Sequence, residues 1–111
     1  MNNRQLGSIY ENKAAAYLES LGMRTVERNF RTGHGEIDLV MDDHGTIVFV
    51  EVKYRRNAAW GYALEAVDRR KQLQIRRMAR EYLQTKSLHR PVRFDCVGYT
   101  GAEFRYIRGA F

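Results

Sequence analysis

Cysteine occurs once in this 111-residue chain, at Cys96, and proline once, at Pro91. A single cysteine excludes an internal disulfide framework and suits a reducing compartment. Set in the strand-like run RFDCVGY, it is expected to be a small buried apolar residue. The histidines, His34, His44 and His89, are scattered without zinc-ligand spacing. No phosphate-binding glycine loop or G-x-S-x-G elbow occurs, and repeats, low-complexity tracts and linkers are missing too. The opening MNNRQLGSIY has no apolar signal core, and every apolar run is far too short to span a bilayer. The expectation is a soluble cytoplasmic protein without a membrane partner.

What the chain does have is basic charge. Lys and Arg outnumber Asp and Glu by 19 to 13, which favours a polyanionic partner, nucleic acid before lipid. With 44% hydrophobic residues, one domain of this length can build a core without staples.

Residues 3–21 carry Leu6, Ile9, Tyr10, Ala14, Tyr17, Leu18 and Leu21 at helical spacing, with Gly22 where a C-terminal cap belongs. Strands are expected at 23–30, 36–41 and 46–54, the last two separated by the turn DDHG. The glycines of TGHGE read as a hinge or turn before the second strand. After a loop at 55–66, Asp68 caps a second helix running to Thr85, with Ile75, Met78, Ala79, Tyr82 and Leu83 as its apolar stripe. Pro91 marks the entry to a strand at 92–100, and 104–107 is the last. The order αβββαββ describes a mixed α/β domain with a central sheet, 1–111 forming one unit.

The segment GEIDLVMDDHGTIVFVEVKYRR raises the functional question, because it puts charge into the most strand-like part of the chain. Side chains two apart share a strand face, so Glu36, Asp38 and Val40 lie together, as do Phe49, Glu51 and Lys53. If Met41 pairs with Thr46 across a four-residue turn, Asp38 falls opposite Phe49, diagonal to Glu51 and on the face of Glu51 and Lys53. Ile37/Leu39/Met41 and Val48/Val50/Val52 form the apolar faces. Glu11 sits at the edge of the first helix's stripe. The second helix places Lys71 and Gln72 one turn before Ile75, near its positive N-terminal end. Arg69, Arg76, Arg77 and Arg80 gather on a separate side of that helix, and Arg55 and Arg56 follow the lysine strand.

Two readings of these charges stand. Asp38, Glu51 and Lys53 can be an exposed face of cross-strand ion pairs, or carboxylates gathered to hold Mg²⁺ or Mn²⁺ through oxygen ligands. In the second case the lysine orients water or offsets phosphate charge, the chemistry of phosphodiester hydrolysis. Glu11 is a solvated helix flank or a metal-side acid, and Glu36 opens the strand to solvent or approaches the metal. The arginines are a solvated face or contact backbone phosphates, DNA being favoured over RNA. Asp95 in RFDCV reads as a structural carboxylate pairing a neighbouring arginine. Trp60 and Tyr62 either pack under their loop or stack on bases.

An Asp strand, a turn and a strand ending E-V-K resemble the PD-(D/E)xK nuclease superfamily. RNFRTGHGEIDLV, VFVEVKYRR, AVDRRKQ, RFDCVGY and the closing GAF, in that order, resemble the widespread bacterial family of small endonuclease-like proteins often called YraN-like, itself distantly similar to archaeal Holliday junction resolvases. The resemblance implies a restriction-endonuclease-like fold and a metal-dependent endonuclease acting on DNA, branched or structured DNA included. It implies that Asp38 and Glu51 bind metal, that Lys53 is catalytic, and that Glu11 assists the metal. Gln72, beside Lys71, matches a polar position on the helix after the lysine strand. Ile37 stands where the superfamily name has proline. A homodimer is implied as well. The alternative is a nucleic-acid-binding accessory that keeps the fold with little or no turnover.

Overall fold

A computed structural model describes residues 2–55 and 67–111. Arg56, Trp60 and Tyr62 lie outside the described residues. The elements are α1 (Asn3–Ser20), β1 (Arg24–Thr32), β2 (Gly35–Asp43), β3 (Thr46–Arg55), α2 (Arg69–Thr85), β4 (Val92–Thr100) and β5 (Glu103–Ile107), the order the sequence suggested. The strands form one sheet in chain order, antiparallel except for the β3–β4 pair. That parallel pair is joined through α2, as a crossover connection requires.

Local chemistry explains the helix boundaries. Asn2 and Gln5 exchange side-chain hydrogen bonds with each other's backbone N–H groups, closing a capping box at the start of α1. At its end Gly22 takes φ +96°, so that Met23 N–H reaches Leu18 O and Gly22 N–H reaches Glu19 O. This is a Schellman stop, which needs a residue at home in the left-handed region. Asp68 caps α2 by accepting from Lys71 N–H at 2.9 Å.

The two helices cover opposite faces of the sheet. Ala14, Ala15 and Leu18 of α1 pack with Met23, Leu39, Met41, Val48, Val50 and Val97. Ile75, Met78, Ala79 and Tyr82 of α2 pack with Ile37, Val40, Ile47, Phe49 and Phe94. Of the expected helix stripes, Leu21 is 47% exposed, because the helix has ended at the Gly22 stop.

Two register details differ from the sequence reading. The β2–β3 turn is only His44-Gly45, both at positive φ, and Asp43 rather than Met41 pairs with Thr46. Such two-residue turns match the twist of a hairpin. Val40 therefore stands opposite Phe49, and Leu39–Val50 is the last pair of the ladder, so Asp38 and Glu51 are the residues next beyond it on the two strands instead of a diagonal pair. The slip is two residues, so the side-chain parity between the strands is unchanged. The second difference is Ile37, which joins the α2 core while Leu39 and Met41 join the α1 core. The alternation breaks beside Asp38. There the β1–β2 partners run Arg28–Leu39 and then Phe30–Ile37, with Asn29 between them at φ +54°.

Candidate active site

The break in β2 and the splaying of β3 build the site. Past the Leu39–Val50 pair, the Val52 N–H donates to Asp38 Oδ2 at 2.8 Å, so a carboxylate takes over from the ladder. Glu51, one residue earlier on β3, is 6% exposed. Its Oε1 is 2.9 Å from Lys53 Nζ and 3.8 Å from Lys71 Nζ, the latter carried by the first turn of α2. These three sequence-picked side chains are thus brought together, and Lys71 joins them from the helix.

Electrostatically the site is under strain. Burial, and then the Glu51 charge, push the Asp38 carboxyl up to about 8, with Glu11 adding to the rise and the Val52 N–H and Lys53 opposing it. Glu11, half-buried on α1, is itself raised, first by desolvation and then by Glu36. The beginning of this pattern, like charges pressed together out of water, is what a divalent cation relieves.

The oxygen-only donor set suits Mg²⁺ or Mn²⁺, which are held by one or two carboxylates plus water and phosphate oxygens. Asp38 and Glu51 are the pair that fits. Among the described residues no three acidic, histidine or cysteine side chains lie together as a complete ligand set. Glu11 acts on Asp38 through its field, and its carboxylate is engaged by Asn29. The Gln72 Nε2 donates to Val67 O at 3.2 Å. Of that helical pair it is Lys71 that reaches the site. Cys96, paired with Glu51 across the parallel ladder, is buried, and its thiol is pushed up to about 12 by desolvation and the neighbouring acids.

The basic residues divide by environment. Arg69, Arg77 and Arg80 are exposed on α2. Arg76 is held over aromatic rings, its guanidinium 4.7 Å from the Phe94 centroid and 5.6 Å from that of Phe111. Arg55 is half-buried and donates to Tyr54 O at 3.0 Å. Asp95 is the structural carboxylate the sequence suggested, held by both ends of the Arg93 guanidinium. Sequence reasoning missed Asn29 and the Val52 N–H. An asparagine in a strand-like run carries no chemical signature, and a backbone donor carries none at all.

A model of the uncharacterised protein family UPF0102 matches residues 10–98. The chain belongs to this family. The matched stretch contains Glu11, Asp38, Glu51, Lys53, Lys71 and the arginines of α2. A UPF0102 protein of Halorhodospira halophila is 46% identical over 108 residues, covering 97% of this chain and 88% of the relative. One from Fusobacterium nucleatum is 40% identical over 109 residues, covering 97% and 92%. Another, from Photobacterium profundum, is 44% identical over 106 residues, covering 93% and 85%. Among the described residues no helix is long and apolar enough to cross a membrane.

The charge arrangement predicts an unusual stability response. A carboxyl whose folded pKa lies above its unfolded value binds more protons when folded, so stability falls as pH rises between about 4 and about 8. Asp38→Asn keeps an acceptor for Val52 N–H and removes that charge. In metal-free buffer at pH 8 the variant should be more stable than wild type by about 2 kcal/mol, with the difference vanishing near pH 4. Urea unfolding at the two pH values measures this. An Asn variant less stable at both would mean that Asp38 is not under charge strain.

Proposed function

We propose that this UPF0102 protein is a Mg²⁺- or Mn²⁺-dependent endonuclease of the PD-(D/E)xK type that hydrolyses phosphodiester bonds in DNA, branched or structured DNA included. The observation that carries the reading is the convergence of Asp38, Glu51 and Lys53 where β2 and β3 part. Two acids and an ammonium group there meet a helix bearing Lys71, with Arg69, Arg77 and Arg80 exposed further along it.

In this reading Asp38 and Glu51 hold the ion. When bound, it supplies charge neutralisation at the phosphate and water of lowered pKa. Lys53 is close enough to Glu51 to swing its ammonium onto a non-bridging phosphate oxygen, or to orient the attacking water. Attack on phosphorus breaks one P–O bond and leaves a phosphomonoester and a hydroxyl. Lys71 and the exposed arginines bind the backbone through charge, which makes binding salt-dependent. A cytoplasmic setting and a homodimer, which would let two copies cut two strands, belong to the same proposal.

The second reading is a nucleic-acid-binding accessory with little turnover, RNA included among its ligands. One observation favours it: the charge of Glu51 is offset by two lysines, Lys53 at 2.9 Å and Lys71 at 3.8 Å.

One assay separates them. Labelled linear, single-stranded, flap and four-way-junction DNA, and matching RNA, are incubated with Mg²⁺ or Mn²⁺ and wild type or Glu51→Gln. The nuclease reading expects cleavage by wild type, removed by chelation and reduced by about 10³-fold or more in Glu51→Gln. Retained salt-sensitive binding without metal-dependent cleavage of any substrate transfers the assignment to the accessory reading.

A further inference from the structure

Asn29 lies on β1 between the Arg28–Leu39 and Phe30–Ile37 pairs, beside Asp38 of β2, and its backbone is in the left-handed region at φ +54°. Asparagine tolerates that conformation better than most residues with a side chain. The conformation carries its side chain to the cleft between α1 and the sheet, a space of about 470 Å³ whose walls include Glu11, Glu36, Ser8, Arg4 and Arg31. With Nδ2 turned toward the acids, Asn29 donates to Glu11 Oε1 at 3.0 Å and to Glu36 Oε1 at 2.5 Å. The reverse orientation would set its oxygen against theirs.

The chemistry of this contact is specific. Glu11 comes from α1 and Glu36 from β2, and the Glu36 charge adds to the burial that raises the Glu11 carboxyl. A primary amide has two N–H donors and can satisfy one carboxylate with each. A hydroxyl has one donor and can serve only one of them. A lysine would serve both but would also neutralise the negative field that reaches Asp38. Asn29 thus holds two acids side by side without adding a charge of its own to those of Arg31, 3.7 Å from Glu36 Oε2, and Arg28, whose charge acts on Glu11. Glu11 in turn contributes to the field at Asp38, so the acid that Asn29 anchors acts on the site.

We propose that Asn29 is a positioning residue for the metal site. Its amide fixes Glu11 and Glu36 as an outer carboxylate pair, and this pair would strengthen cation binding at Asp38 and Glu51. The proposal rests on the nuclease reading of the site. Outer partners of this kind carry effects of about 10–100-fold in metal affinity.

Asn29 is exposed, and glycine is at home at its φ, so Asn29→Gly deletes the amide without distorting the strand. The experiment is calorimetric titration of Mn²⁺ into wild type, Asn29→Gly, Glu11→Gln and the double variant, each first shown to unfold cooperatively in urea. Asn29→Gly should weaken Mn²⁺ binding by about 10–100-fold. In the Glu11→Gln background the same change should weaken it by less than about threefold, because the amide acts through Glu11. In the cleavage assay the Mn²⁺ concentration for half-maximal rate should rise with the KM for DNA unchanged. Wild-type affinity in folded Asn29→Gly, or full additivity in the double variant, overturns the proposal and leaves the nuclease reading standing. If wild type takes up no Mn²⁺, both fall together.

Discussion

Replacing Lys53 by methionine is expected to reduce metal-dependent cleavage by about 10³-fold while leaving ion binding in place. Methionine keeps much of the length and apolar stem of lysine and removes only the ammonium group. That group sits 2.9 Å from Glu51 Oε1, and under the nuclease proposal it would share that oxygen with the ion. On that proposal its removal takes away a competitor of the metal as well as the catalytic ammonium. Mn²⁺ should raise the melting temperature of Lys53→Met by at least as much as it raises that of wild type. Without metal, the variant should be less stable by about 2 kcal/mol, since Glu51 then keeps only the more distant Lys71. The combination discriminates: a catalytic lysine predicts lost cleavage with retained ion binding. A lysine that only neutralises Glu51 predicts a change in cleavage smaller than tenfold at saturating metal, and that result would remove it from the mechanism.

The legibility of this site in the sequence depended on which relationships were local. Both helices and all strands followed from period, caps and turns, since Asp68, Gly22 and the alternation of IVFVEV act within a few residues of themselves. The hairpin was read with the wrong turn because Asp42 and Asp43 look like turn residues. They are ladder residues whose charge is absorbed from far along the chain. Asp42 pairs with Arg24 and Arg90, and Asp43 with Arg93. Hydrogen bonds from Arg90 first, then from the Gly45 N–H, hold the Asp42 carboxyl down to about 2. Parity survived a two-residue slip, so the conjunction of Asp38 with Glu51 and Lys53 was recoverable.

What could not be read was anything set by a third element. Arg76 was placed with the exposed arginines of α2 by its helical position, and its stacking on Phe94 of β4 and Phe111 at the chain end was not legible there. Lys71 reaches Glu51 and Gln72 does not, a choice made by how α2 docks. The reversal at Asp38 lies beside a left-handed Asn29 on the neighbouring strand. No pattern within GEIDLV announces it.

The largest loss of stability is expected at Asp95, which lies on β4 behind the site and is completely buried. Its Oδ1 accepts from Arg93 Nε and Gly109 N–H, both at 2.9 Å. Its Oδ2 accepts from Arg93 Nη2 at 3.0 Å and Tyr106 OH at 2.5 Å. Arg93 is shared in turn with Asp43 at the foot of the β2–β3 hairpin, 2.9 Å away. Burial and the bond to Asp95 raise the Tyr106 hydroxyl above its ordinary pKa, and Asp95 raises the Arg93 guanidinium likewise. One carboxylate therefore joins β4, β5, the chain beyond β5 and the hairpin that carries Asp38 and Glu51. Asp95→Ala would leave a phenol and a backbone N–H without their acceptor and a mostly buried guanidinium with Asp43 in place of two carboxylates, at a cost of about 3–5 kcal/mol. For a domain of this size that lowers the melting temperature by roughly 15–20 °C. Asp95→Asn, which keeps one acceptor and loses the charge, should fall between the variant and wild type. Urea titration should show a lower midpoint with an unchanged slope, since the same surface is exposed on unfolding. A loss below about 1 kcal/mol in Asp95→Ala would show that water readily replaces the carboxylate. The network would then be an ornament of the fold rather than the brace that fixes β4 beside Glu51.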